Sequence, residues 1–296
     1  MIQITHKDLN NIIDNYYLKI IEYIEKSKKY NLDDINCDLV CYFDKDFEEI
    51  IKLKPSEMKL LIKKNIDNDI SDYFTKFQDL YHIVRNKFGV WIIENLNIKV
   101  CPYCNREYIF KFEDSKKKEA RVLATFDHFY SKSKYPFLAI SFYNLIPSCH
   151  ICNSKFKHQI DFFDNKHLNP YEDDLNKKAK FHLQIDNQSF IYDKNNFKIE
   201  LKENDENDEA TKNTIKTFRL NDLYQNHKDI VFELIQKREI YSDSYIDELA
   251  YNYSGLFKNR EDLLRLITCG YVEDKDLDKR PLSKLVKDIS EELELI

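Results

Sequence analysis

Glycine is almost missing from this chain: Gly89, Gly255 and Gly270 are the only three in 296 residues. Phosphate-cradling turns of the GxxxxGK[ST] or GxGxxG kind need glycines a few residues apart. ATP or dinucleotide binding by those routes is therefore excluded, and any nucleotide hydrolysis the function needs must come from a partner. No apolar run approaches the length that spans a bilayer, and Met1 to Asp8 lack the layout of a signal peptide. The expectation is a cytoplasmic protein without a membrane partner. Seven cysteines, an odd number, suit a reducing compartment where thiol pairs bind metal rather than form disulfides.

Charge is present in both signs but unevenly. The net charge is −6, yet from Cys101 to Ile160 ten Lys/Arg stand against five Asp/Glu. A basic patch on an acidic body can bind phosphates with salt-sensitive affinity. It also leaves acidic surfaces for something other than nucleic acid.

The pattern implies an α+β fold, predominantly helical, with a distinct central segment. Residues 1–98 read as a helical region. Thr5 can cap a helix whose stripe is Leu9, Ile12, Ile13, Tyr16, Ile20, Tyr23 and Ile24. Pro55 is placed to start a second helix, and a third runs from about Ser71 to Glu94. At Cys101 the texture changes. Arg106–Phe112 and Arg121–Phe129 are β-rich runs separated by a polar turn, Glu113–Glu119, which predicts a hairpin. A loop through Pro136 and Asn144 leads to a short helix from about Ser148 to Lys157. Residues 99–165 thus form a central core, and 166–296 a mostly helical region suited to assembly or recognition. In the latter, the stretch from Leu168 to about Leu201 reads as irregular or as a small hairpin of Phe181–Ile185 with Phe190–Tyr192, and Pro281 marks the first turn of the last helix.

The chemistry lies in the centre. Cys101-Pro-Tyr-Cys104 and Cys149-His-Ile-Cys152 are two CxxC knuckles, a strong signal for a closed, structural zinc site. The bland alternative, four buried cysteines acting as small hydrophobes, is disfavoured by two such pairs in one basic segment. Between them stands Asp127-His128. A histidine beside a carboxylate is usually an ordinary core residue, but this pair closes a strand next to the zinc-tethered helix. A neutral imidazole there can take a proton from water. Successive strand residues face opposite ways, so Asp127 and His128 share a site only if the strand bends or ends. Cys149, Cys152 and Asn153 fall at i, i+3 and i+4 on one helical face, so zinc would fix Asn153 relative to the strands. Lys132, Lys134, Lys155 and Lys157 are candidates for phosphate contacts. Cys37, Cys41 and Cys269 read as core thiols.

The run Asp127-His128-Phe129, then Asn144-Leu145, then Cys149-x-x-Cys152-Asn153-x-Lys155 resembles the HNH, or ββα-metal, nuclease motif over about residues 99–160. The resemblance implies an endonuclease. His128 matches its general base, Asp127 and Asn153 the ligands of a catalytic Mg²⁺ or Mn²⁺, and Asn144 the residue that braces the loop and orients the histidine. Two departures stand out: Asn153 replaces a histidine, which favours a hard ion over zinc, and Tyr130-Ser131 occupies a place where a proline is common. The layout with helical flanks is similar to the HNH component, PtuB, of Septu-type anti-phage systems. That similarity implies a nucleic acid substrate, DNA favoured over RNA, and a PtuA-like partner ATPase. The rival readings are a stand-alone restriction-type or RNA-cleaving nuclease, and a catalytically inactive zinc-finger module that binds nucleic acid or protein.

Overall fold

The computed structural model describes residues 2–65, 74–115 and 119–296 and is α+β, its described strands forming three two-stranded antiparallel sheets among many helices. Contacts divide the chain into two units. One comprises Gln3–Ile98 and Ile109–Asp173, the other Met1–Ile2, Lys99–Tyr108 and Asp174–Ile296.

In the first unit the apolar stripe builds α1 (Leu9–Lys26), which buries Ile12, Ile13, Tyr16, Ile20 and Ile24. Asp8 rather than Thr5 occupies its N-cap position. α2 (Leu32–Phe43) is capped by Asn31 and buries Ile35, Leu39 and Phe43, one turn apart. Cys37 and Cys41 fall on the opposite face and are exposed, contrary to the expected core placement. α3 (Phe47–Lys52) opens with a capping box between Asp46 and Glu49. α4 (Pro55–Lys64) carries its proline at the first turn, as the sequence implies. The start of the third expected helix, residues 71–73, lies outside the described residues. The remainder is α5 (Thr75–Ile83), a π-helical turn at Val84–Phe88, and α6 (Gly89–Leu96). A Cβ on Gly89 would come 3.1 Å from the Phe126 ring, so the bare backbone lets α6 lie close against that residue.

The strands depart from the single hairpin expected. β1 (Lys111–Asp114) pairs with β2 (Glu119–Val122), setting Phe112 opposite Arg121. The intervening residues 116–118 of the expected polar turn lie outside the described residues. β3 (Thr125–His128) is a separate strand whose partner is β4 (Leu145–Ser148), with Asp127 opposite Ile146 and His128 opposite Leu145. Burial explains the split. The β1 residues are mostly exposed, whereas Phe126, Asp127 and His128 are buried and pair with a strand that is buried throughout. Directly after β4, Ile151–Lys157 forms a π-helical stretch. The loop from β3 to β4 is anchored by the helices: Tyr16 donates its hydroxyl to the Ile140 carbonyl at 2.8 Å, and Ser141 to the Ile50 carbonyl at 2.7 Å.

The second unit continues with α7 (Leu175–Lys178), β5 (Ala179–Ile185) and β6 (Phe197–Glu203). The β5–β6 register runs from Ala179 opposite Glu203 to Ile185 opposite Phe197. The expected second strand at Phe190–Tyr192 is instead a 3₁₀ turn over Gln188–Ile191. Then come α8 (Glu209–Thr217), α9 (Leu220–Tyr224), α10 (Lys228–Ile240), α11 (Asp243–Asn252), α12 (Arg260–Thr268) and α13 (Ser283–Glu292). Pro281 lies just before α13, whose N-cap position is held by Leu282. The Cys101–Cys104 knuckle belongs to this unit and is tied into it. Asn105, at φ 52°, donates to the Leu277 carbonyl and accepts from the Lys284 backbone N–H, while Tyr224 donates to the Cys104 carbonyl. Among the described residues no helix is long and apolar enough to cross a membrane.

Candidate functional site

The loop that leaves His128 is held by one amide. Asn144 is fully buried. Its Oδ1 accepts the Tyr130 backbone N–H at 2.7 Å, and its Nδ2 donates to the carbonyls of Tyr130 and Leu138 at 3.0 and 2.9 Å. Its own carbonyl accepts the Phe129 N–H at 3.0 Å. A single side chain thus fixes both ends of the turn over residues 130–138.

His128 is the last residue of β3, and it is 8% exposed. Its Nε2 lies 2.9 Å from the Ala139 carbonyl oxygen. A carbonyl only accepts, so Nε2 carries the proton and Nδ1 carries the lone pair. The imidazole meets the Tyr81 ring edge-on at 4.3 Å between centroids. Tyr81 in turn donates its hydroxyl to the Phe126 carbonyl at 3.0 Å, and the Lys132 ammonium sits over its ring at 4.3 Å. Burial, with added repulsion from Lys132 and Lys157, pushes the His128 pKa from 6.5 down to about 3, against a smaller upward pull from the Ala139 hydrogen bond. The ring is neutral at physiological pH. Burial pushes the Tyr81 pKa up to about 12, with Arg85 opposing and Asp127 adding to the rise. Lys132 is lowered by burial first and by Arg85 second. Tyr81, Arg85, Lys132 and His128 are therefore one electrostatic neighbourhood around Asp127.

The depressed histidine has a measurable consequence. In the unfolded chain the imidazole takes a proton as pH falls through about 6.5, whereas the folded one resists until about 3. Its contribution is fully present above pH 6.5 and is lost across that window, at up to ~1.4 kcal/mol per pH unit. Urea unfolding of the wild type and of His128→Gln, compared from pH 7 to 4.5, is expected to show the shallower acid loss in the variant. Equal slopes would refute the buried, neutral imidazole.

Asp127 is buried on the other face of the strand. Its Oδ1 lies 3.1 Å from the Lys157 ammonium, which also donates to the His128 carbonyl at 2.6 Å and covers the Phe162 ring at 4.8 Å. Lys157 is itself only 3% exposed. This differs from the phosphate contact expected of it: the helix turns Lys157 inward, and its charge is directed at Asp127 and the strand end. Four residues earlier on that helix, Asn153 Nδ2 donates to Thr125 Oγ1 at 3.0 Å, and Thr125 donates to the Ser148 carbonyl at 3.1 Å. Thr125 and Asp127 are two residues apart, so they share the strand face that meets the helix.

Of the other lysines, Lys134 bridges Asp161 and Asp164 at 3.1 and 3.0 Å, and Lys155 is exposed. His150 is exposed, with Nδ1 3.2 Å from Ser154 Oγ. Cys269 is exposed rather than buried, at the end of α12 where φ is 58°. The structure adds Tyr81, Arg85 and Thr125 to the site. Their positions carry no motif, and only the arrangement of α5, its π-helical turn and β3 reveals them.

The ligand atoms of Cys101, Cys104, Cys149 and Cys152 all lie within 4.8 Å of one another, and all four residues are buried. The Cys152 N–H points at Cys149 Sγ from 3.4 Å, a contact suited to a thiolate. A tetrahedral ion ~2.3 Å from each sulfur requires S–S separations of ~3.8 Å, so this cluster could hold a metal ion. Comparison with protein-family models, curated proteins and solved structures finds no match.

Proposed function

We propose that the chain is an HNH endonuclease that hydrolyses phosphodiester bonds of nucleic acid, with zinc on the four cysteines. The observation that carries the reading is the tautomer of His128: a neutral imidazole with Nε2 tied to the Ala139 carbonyl keeps Nδ1 as the proton acceptor, on the residue that follows the buried Asp127 in the strand. The order β3, β4, then the helix bearing Asn153 supports it, as does the Asn144 brace. In this reading His128 takes a proton from the attacking water at Nδ1. Asp127 and Asn153 are the residues that would hold a hard divalent ion, which supplies stabilisation of charge on the phosphate and leaving oxygen. The carboxylate and amide oxygens fit Mg²⁺ or Mn²⁺ better than a thiophilic ion. Lys157 orients Asp127 and fixes the strand end. The gate on this activity is a partner ATPase, in keeping with a chain that lacks a phosphate loop.

The test is cleavage of labelled DNA and RNA, single- and double-stranded, with Mg²⁺ or Mn²⁺ and with or without the product of a neighbouring ATPase gene. Divalent-dependent cleavage is expected, reduced at least ~100-fold by His128→Ala with folding and zinc content retained. Cleavage that survives the substitution removes the assignment. No cleavage by the wild type under any condition favours an inactive zinc-finger binding module.

A further inference from the structure

The β1–β2 hairpin exposes apolar side chains that its own unit does not cover. Phe110, Phe112 and Leu123 are 39%, 38% and 49% exposed. Phe112 stands directly opposite Arg121, and Leu123 donates its N–H to the Phe110 carbonyl, so the register continues past the strand end. Alternation then puts Phe110, Phe112, Arg121 and Leu123 on one face. The two rings are two residues apart, ~6.8 Å along the chain at the usual strand rise, a spacing close to that of successive bases in an extended strand. Next to this face is a cavity of about 480 Å³. Its lining includes Phe112 and Arg121 of the hairpin, Arg85 and Asn86 of the π-helical turn, and Phe126 of β3. Phe126 immediately precedes Asp127, and Arg85 is near enough to Tyr81 and Lys132 to act on both. The cavity thus shares Arg85 with the Tyr81–Lys132 neighbourhood and ends on the residue before Asp127.

Aromatic rings beside guanidinium groups suit one class of ligand. A base can stack on an exposed ring only when it is released from a duplex, and the neighbouring phosphate then meets the arginines. A purely apolar partner surface would leave Arg85 and Arg121 facing it without an anion; Arg121 already has Asp114 at 3.5 Å on a side chain that remains 44% exposed. We propose that the Phe110–Phe112–Arg121 face, with Arg85 across the groove, binds an unpaired stretch of the nucleic-acid strand that leads into the Asp127–His128 site. The proposal rests on the nuclease reading for its direction, not for its binding chemistry.

The experiment measures binding without cleavage. Fluorescence anisotropy of labelled single-stranded DNA, single-stranded RNA and duplex DNA is recorded with the full chain carrying His128→Ala, alone and with added Phe112→Ala, Phe112→Trp, Arg85→Gln or Arg121→Gln. Tighter binding of single strands than of duplex is expected. Phe112→Ala should weaken single-strand binding roughly 10-fold and Phe112→Trp should preserve it. Each arginine variant should flatten the dependence of log K on log salt by ~0.7, one phosphate contact on a single strand. The DNA and RNA arms report which sugar the track accepts. Single-strand affinity unchanged by Phe112→Ala overturns the proposal, as does a chain that binds no nucleic acid. Binding through Phe112 by a chain that never cleaves keeps the track and removes the nuclease. Wild-type cleavage rates when Phe112→Ala is made with His128 intact remove the track alone.

Discussion

Replacing Lys157 with methionine is expected to lower the free energy of unfolding by about 3–5 kcal/mol, the cost of removing one partner from a buried ion pair. A surface lysine would cost less than ~1 kcal/mol, so the size of the loss discriminates between the two placements. The geometry fixes the expectation. Lys157 and Asp127 are both 3% exposed, the ammonium is 3.1 Å from the carboxylate, and the same group donates to the His128 carbonyl at 2.6 Å. Methionine fills the volume over Phe162 but leaves a buried carboxylate and a strand-end carbonyl with one partner fewer. Adding Asp127→Asn to Lys157→Met should recover part of the loss, because the charge that suffers is then gone, and the cycle gives the coupling directly. Urea unfolding of the four proteins at pH 7 makes the measurement. A loss under ~1 kcal/mol for the single variant, or no recovery in the double, would refute the inward lysine.

Lys157 also shows where sequence reasoning ran out. Its position after a CxxC knuckle in a basic segment suggested a phosphate contact, and a helical wheel places it four residues beyond Asn153. What decides its direction is the carboxylate waiting on β3, and that depends on a strand pairing that was misread. Leu145-Ile-Pro-Ser contains a proline and follows an asparagine, both loop signals, yet the run is buried throughout and pairs with β3. Local propensity made 121–129 half of a hairpin. Burial of Phe126, Asp127 and His128 instead ends the exposed hairpin at Val122 and starts a new strand at Thr125. The ending of that strand at His128 answers the constraint that adjacent residues face opposite ways. Asp127 points to the helix and His128 to Tyr81, and the Asn144-held loop turns the chain directly after them.

Other elements were legible because their cause is local. The spacing of the isoleucines in α1 and the proline of α4 act within a few residues of themselves. The two CxxC pairs were legible for a chemical reason: few other uses place four cysteines so. Tyr81 and Arg85 were not, because an apolar-faced helix presents many such residues and only the fold selects these two. The same holds for Cys37 and Cys41, whose exposure follows from the Ile35–Leu39–Phe43 stripe on the other side of α2.

Removal of the zinc proposed for the four cysteines is expected to have the largest effect of all. Apparent binding energies of structural zinc in small domains are ~10–16 kcal/mol at pH 7, against ~5–15 kcal/mol of total stability for an ordinary domain. Cys149 and Cys152 flank the start of the helix that carries Asn153 and Lys157, and Asn153 donates its backbone N–H to the Cys149 carbonyl at 3.1 Å. Cys101 and Cys104 lie on a turn whose Asn105 has a left-handed backbone and is held at Leu277 and Lys284. Without an ion, both turns lose the constraint on their sulfur ends. The expected outcome is one zinc per chain by elemental analysis, a melting temperature lowered by tens of degrees on chelation, and poorly folded protein from Cys152→Ser. If the chain cleaves as proposed, cleavage should be lost with the zinc and should not return on adding Mg²⁺ alone, since Asn153, proposed to hold the hard ion, lies on the helix that follows Cys149. A Cys152→Ser chain that melts with the wild type and still contains zinc would show that these sulfurs are only packed, and would leave Asn153 to be positioned by Thr125 and the Cys149 carbonyl by themselves.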